Sequence, residues 1–187
     1  FTPRTRLVFF SHVEFSCGLR MPVETISRMS KTQGAMVLLD AAQGPGHIQL
    51  DMKQIDADFY STLGHKWLLG PDGTGALYIR KQMIPEVRPV QIGSRFAKRF
   101  DQVGKFEANH EDIDKFRLST TSAAIRAGYL EALRIALNVG AASSEERSLT
   151  LATHLKKELA QISGVKVTSP LEGPGCSGLV TFTVTGK

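Results

Sequence analysis

Val37-Leu38-Leu39-Asp40-Ala41-Ala42-Gln43-Gly44 is followed by Ile48-Gln49-Leu50-Asp51, then by Asp58-Phe59-Tyr60-Ser61-Thr62-Leu63-Gly64-His65-Lys66-Trp67 and Gly70-Pro71-Asp72-Gly73-Thr74-Gly75. The first apolar run ends on a carboxylate. The later one ends on a histidine with a lysine directly behind it. Short apolar runs rich in β-formers and bounded by Gly, Pro and Asp read as buried strands. Side by side in a parallel sheet, two such strand ends bring Asp40 and Lys66 into one crevice, where an open α/β sheet holds its ligand.

Working outward, residues 6–11 read as a strand and 12–18 as a loop. Pro22 starts a helix with Val23, Ile26 and Met29 at helical spacing, and Gln33-Gly34 ends it. With residues 35–39 as the next strand, this is a βαβ unit with a right-handed crossover. Residues 51–57 read as a short helix or turn, 57–62 as a strand and 75–80 as another. The connection between the last two is too short for a helical crossover and favours an antiparallel pair. Residues 81–118, with Pro85, Pro89 and scattered charge, read as long loops over the site.

Residues 119–139 form the clearest helix, with N-cap hydroxyls in Ser119-Thr120-Thr121-Ser122 and apolar Ala124, Ala127, Leu130, Leu133, Ile135 and Leu137. A second helix spans 144–162, and two short strands at 165–168 and 179–184 flank a Pro/Gly turn. The last strand has little after it to pair with, which suggests a domain cut short. The opening Phe1-Thr2-Pro3-Arg4, with no initiator methionine, suggests a fragment.

The chain carries 23 basic and 18 acidic residues, a formal charge of +5, which suits an anionic ligand but equally a solvated basic surface. The basic run Arg95-Phe96-Ala97-Lys98-Arg99-Phe100 has no RNA-module signature around it, so a nucleic-acid partner is not expected. No apolar stretch approaches the ~20 residues that span a bilayer, so no membrane is expected. Cys17 and Cys176 make neither a disulfide framework nor a metal site, which fits a reducing cytoplasm.

A carboxylate facing a lysine across a small ring is what pyridoxal 5'-phosphate (PLP) needs: an acid for the pyridinium nitrogen and an amine for the Schiff base. Each residue also has a plainer reading. Asp40 could cap a turn, Lys66 could be an exposed strand-end lysine, His65 a structural histidine and Thr120 an N-cap.

The DAAQ and GHKW segments, about two dozen residues apart with GPDGTGALYIR behind them, resemble the class V aminotransferase family of fold-type I PLP enzymes. That family includes cysteine desulfurases, selenocysteine lyases, cystine C–S lyases and isopenicillin-N-epimerase-like proteins. The resemblance implies an α/β fold-type I large domain, with a mainly parallel sheet flanked by helices, over residues 1–140. It implies the start of a small α+β C-terminal domain over 141–187. It makes Lys66 the Schiff-base and catalytic lysine, Asp40 the partner of the pyridine nitrogen and Gln43 the donor to the ring's phenolic oxygen. Ala42 lies against the ring face, and His65 is near the phosphate or tunes the site. Thr120 reaches the phosphate of a neighbouring subunit in a homodimer. His12 falls in a loop near the phenolic edge, with Ser16 where relatives carry Asn or Thr. Leu63 departs from the family pattern, which has a phosphate-binding Ser, Thr or Asn three residues before the lysine. Arg95, Arg99 and Arg117 are possible partners for a substrate carboxylate. The expected function is action on an amino acid, with C–S lyase or desulfurase chemistry first. An epimerase or aminotransferase is the alternative, and a non-catalytic scaffold keeping the fold is another.

Overall fold

The computed structural model describes residues 1–186. The apolar runs are strands: β1 (Leu7–Ser11), β2 (Met36–Asp40) and β3 (Phe59–Leu63), joined by helices α1 (Val23–Thr32) and α2 (Met52–Ile55). β4 (Gly75–Ile79) follows, and the four make one sheet in the order β1-β2-β3-β4. β1, β2 and β3 run parallel and β4 runs antiparallel to β3, as the short connection requires. The register sets Ser11, Asp40 and Ser61 side by side at the carboxyl end of the parallel strands.

One face of the sheet is covered. Val23 from α1 and Ile55 from α2 pack with Val37, Leu39, Ala41, Ala57 and Tyr60, all at most 2% exposed. The strands alternate, so their other residues point away. That opposite face is open: Phe9 is 63% exposed, and Leu7, Met36, Leu38, Phe59, Leu77 and Ile79 line a hollow of about 560 Å³. At the amino end of β3, Lys31 and Arg80 converge on Asp56 and Asp58, and the buried Asp58 accepts from Val37 N at 2.9 Å.

Residues 81–118 are not the long loops the sequence suggests. Single 3-10 turns cover Lys81–Met83, Ser94–Phe96 and Ile113–Phe116, and a hairpin joins β5 (Ala97–Phe100) to β6 (Phe106–Ala108). The basic run thus contributes a hairpin strand. Lys115 pins the segment from inside: fully buried, it donates through Nζ to the carbonyls of Ile84 and His110.

α3 (Ala123–Val139) begins later than residue 119, because the hydroxyl that caps it is that of Ser122, accepting from Ile125 N at 3.4 Å. α4 (Ala141–Ala160) begins earlier than residue 144, with only Gly140 between the two helices. The two last strands, β7 (Val165–Val167) and β8 (Phe182–Val184), pair antiparallel, so the final strand does find a partner.

Candidate functional site

Asp40 is the last residue of β2 and is held from both sides. Its carbonyl accepts from His12 N at 2.8 Å, and Ala41 N donates to Ser61 O at 2.8 Å. Its Oδ1 accepts from Ala42 N at 2.9 Å. Asp40 therefore does cap a turn, but with one oxygen. The other has no protein partner among the described residues. Ala41 is buried in the core, and Ala42 and Gln43 are half-buried.

Residues 64–70 form a loop closed on itself. Gly64 N donates to Thr74 O at 2.8 Å, Leu69 N to Lys66 O at 3.0 Å and Gly70 N to Gly64 O at 2.7 Å. Lys66 is half-buried on this loop, and its side chain has neither ion pair nor hydrogen bond among the described residues. His65 is exposed and also unengaged.

Two contacts bring the acidic and basic loops together. Trp67 Nε1 donates to Gln43 Oε1 at 2.9 Å, so the residue after Lys66 touches the residue three beyond Asp40. Gly46 carries a φ of 99°, and a Cβ there would sit 2.4 Å from Trp67 O; only glycine lets the two backbones approach so closely. Asp40, Ala42, Gln43, His65 and Lys66 therefore share one end of the sheet.

Thr120 lies elsewhere. It is exposed and lines a hollow of about 420 Å³ with Ser94, Arg95, Arg117, Ser119, Thr121 and Arg126. Hydroxyls and guanidinium groups in one hollow suit an anion. A second hollow of about 600 Å³ shares Arg117, Thr121 and Arg126 and reaches Gly73, Thr74 and Gly75, which connects Thr120 to the turn behind the lysine loop. Of the three arginines weighed from the sequence, Arg95 and Arg117 line the anion hollow, and Arg99 sits on β5 instead.

His12 turns inward. It is 1% exposed, with Nδ1 2.9 Å from the Tyr60 hydroxyl. Burial, then the charge of Arg20, then His47, hold its pKa down to about 4, and burial pushes the Tyr60 phenol up, so the pair is neutral. Ser16 is exposed and donates to Glu14 Oε1 at 3.2 Å. Leu63 and Thr62 are both half-buried and point to opposite faces of β3. Among the described residues no three His, Cys, Asp or Glu side chains cluster to hold a metal ion.

His47 and Trp67 are residues to which the sequence analysis assigns no role. His47 is 1% exposed and stacks on Trp67 with ring centroids 4.0 Å apart and planes 26° from parallel. Among the described residues neither of its ring nitrogens has a hydrogen-bond partner. Beside this stack Arg20 is ion-paired with Glu145, whose second oxygen accepts from Gln49 N at 2.7 Å. The only sequence signal was the position of Trp67, directly after the lysine.

The fit to a pyridine aldehyde follows from the unengaged groups. A carboxylate oxygen, an amide NH₂ and an amine stand free at the carboxyl end of parallel strands, and they match a ring nitrogen, a phenolic oxygen and an aldehyde carbon.

A family model described as aminotransferase class-V matches residues 1–187. A probable cysteine desulfurase of Staphylococcus epidermidis is 32% identical over 182 residues, 97% of this chain and 43% of that protein. The isopenicillin N epimerase of Streptomyces clavuligerus is 41% identical over 90 residues, 48% of this chain and 23% of that protein. A variant of C-DES with glycine covalently linked to its PLP cofactor superposes with a TM-score of 0.89 at 29% identity, over 99% of this chain and 49% of that one. C-DES, a cystine C–S lyase, is also known in complex with its reaction product, cysteine persulfide. The chain spans just under half the length of the relatives that match along most of it.

Proposed function

The chain belongs to the aminotransferase class-V family, and from that premise we propose that the whole protein is a PLP-dependent enzyme that cleaves the C–S bond of a cysteine-type amino acid. The observation that carries the cofactor site is the Trp67–Gln43 hydrogen bond, which joins the acidic and basic loops. The reaction class rests on the cysteine desulfurase and cystine lyase relatives.

PLP, when bound, supplies an electron sink for the bond broken at the substrate's Cα. The free oxygen of Asp40 would hold the proton on the ring nitrogen, which would keep that sink effective. The Gln43 amide would donate to the ring's phenolic oxygen, and Ala42 is small enough to lie under the ring. Lys66 would hold the cofactor by its aldehyde carbon and would also serve to move the substrate's Cα proton. A nucleophilic amine must be uncharged for part of its time, so the absence of an acidic partner at Lys66 suits the role. His65 stands beside the site as an exposed tuning residue.

In the full-length homodimer, Thr120 and the guanidinium groups around it offer an anion contact to the neighbouring subunit's phosphate. The division at residue 140 into a large domain and the start of a small one, and a cytoplasmic location, belong to the same reading. No described helix is long and apolar enough to cross a membrane.

A second reading, isopenicillin-N-epimerase-like chemistry, is favoured by the 41% identity to that enzyme over 90 residues. It uses the same residues and returns the Cα proton to the other face. The test is to load the full-length protein with PLP, reduce with borohydride and map the peptides. A pyridoxyl adduct on Lys66 is expected, and a folded protein without one overturns the cofactor site. Lys66→Ala should abolish the adduct and lower turnover by at least the ~10²–10⁴-fold typical of positioned proton transfer. Sulfur release from cystine or cysteine supports the lyase; exchange of the Cα proton without sulfur release supports the epimerase. Thr120→Ala should weaken PLP binding by roughly 10- to 100-fold, the loss of one hydrogen bond to a charged group.

A further inference from the structure

The indole of Trp67 is a donor only, so its partner on Gln43 must be the carbonyl oxygen. An unrestrained glutamine can present either end of its amide. Pinned by Nε1–H at 2.9 Å, Gln43 has its oxygen occupied and its NH₂ as the free end, with no protein acceptor among the described residues.

The indole is itself fixed. His47 stacks beneath it at 4.0 Å. From the far side of the chain Gly178 approaches both rings, and a Cβ there would lie 3.2 Å from His47 Cδ2 and 3.2 Å from the Trp67 ring. The backbone of residues 67–68 lies on Gly46. Two separate stretches, residues 46–47 and Gly178, thus set the plane and position of one indole N–H.

We propose that Trp67 is a positioning residue: by holding the Gln43 carbonyl it makes the amide present a donor, never an acceptor, to an oxyanion bound against it. This rests on the PLP reading above, in which that oxyanion is the ring's phenolic oxygen. Without the indole the amide is free to turn its oxygen toward like charge, and its stabilising hydrogen bond is lost. Trp67 touches neither substrate nor cofactor in this scheme and acts through Gln43. Its effect therefore appears in the protonation behaviour of the bound cofactor rather than in its attachment.

Trp67→Phe keeps the stack on His47 and removes only the N–H. In the full-length protein loaded with PLP, the borohydride-trapped adduct on Lys66 should form in this variant as in the parent. The pH midpoint of the bound cofactor's visible absorbance change should rise by roughly one pH unit, the equivalent of one hydrogen bond to a charged group. Gln43→Ala should move it the same way, and the double variant no further. A Trp67→Phe midpoint equal to the parent's, beside a shifted Gln43→Ala, overturns the proposal and leaves the cofactor site standing. Absence of the Lys66 adduct in the parent overturns both. A second measurement is independent of Trp67→Phe folding. In the full-length protein the Trp67 indole N–H resonance in a ¹H–¹⁵N spectrum should shift and exchange faster in Gln43→Ala. An unchanged resonance there also overturns the proposal.

Discussion

His12 and His47 are the residues whose environment most constrains the protein's behaviour. Both are nearly fully buried, and their pKa values lie at about 4 instead of the ordinary 6.5. Burial is the main cause in each. Around them Arg20 disfavours the charged form of both, Glu145 favours it, and the carbonyl of Gly44 faces His47. The unfolded chain takes up these protons near pH 6.5, whereas the folded chain resists until about pH 4. Stability therefore falls as pH drops through that window, by up to about 3 kcal/mol for each histidine. Urea unfolding at pH 7.5 and pH 4.5 should show the loss. His47→Phe, which keeps a ring against Trp67, should roughly halve it; an unchanged pH dependence would reject this assignment. The residues of the site divide by how they could be read. Asp40 and Lys66 were legible because each ends an apolar run. The Gln43–Trp67 contact was not, because it depends on the close approach at Gly46, which no spacing in the sequence encodes.

At the scale of elements, the sheet was legible because its strands are short apolar runs with a helix of clear periodicity between the first two. The boundaries of β1, α1, β2 and β4 differ from the sequence reading by only a residue or so. Leu39→Ala in β2, at a fully buried position, should cost about 2–5 kcal/mol, read as a lower urea midpoint. The hairpin of β5 and β6 was illegible for a physical reason. Its strands carry only four and three residues, they are rich in charge, and they pair with each other rather than with the main sheet. What organises that region is a buried lysine, which no hydrophobic pattern reveals. Burial pushes the Lys115 ammonium down in pKa, yet it donates to two carbonyls. Lys115→Met should remove charge-assisted hydrogen bonds worth about 1.5–3 kcal/mol each. Hydrogen exchange over residues 81–116 should speed up while β1–β3 amides stay protected; uniform exchange would contradict this local role.

At the scale of the whole molecule, the chain exposes 12493 Å². A compact monomer of its 20.5 kDa would expose about 8,800 Å², so this one exposes about 40% more. Much of the excess is apolar: Leu7, Phe9 and Leu77 on the open sheet face, and Leu130, Ile135 and Leu137 on α3 are about half-exposed or more. The apolar positions along α3 were read from the sequence as an apolar face, and periodicity alone could not say that this stretch of chain leaves them uncovered. The 187 residues produced alone should bind the dye ANS and aggregate at micromolar concentration, whereas the full-length protein should bind little dye and associate no further than the proposed dimer. Equal dye binding by the two would mean the faces stay open in both. Gly140 has a mechanical consequence. Two rods, α3 and α4, meet at a single joint whose φ of 84° and ψ of 136° suit glycine alone. One helical turn along the second rod, Glu145 ties it to Arg20 and to the backbone of Gln49, so a rod of 20 residues is anchored to two loops of the large sheet close to its own fulcrum.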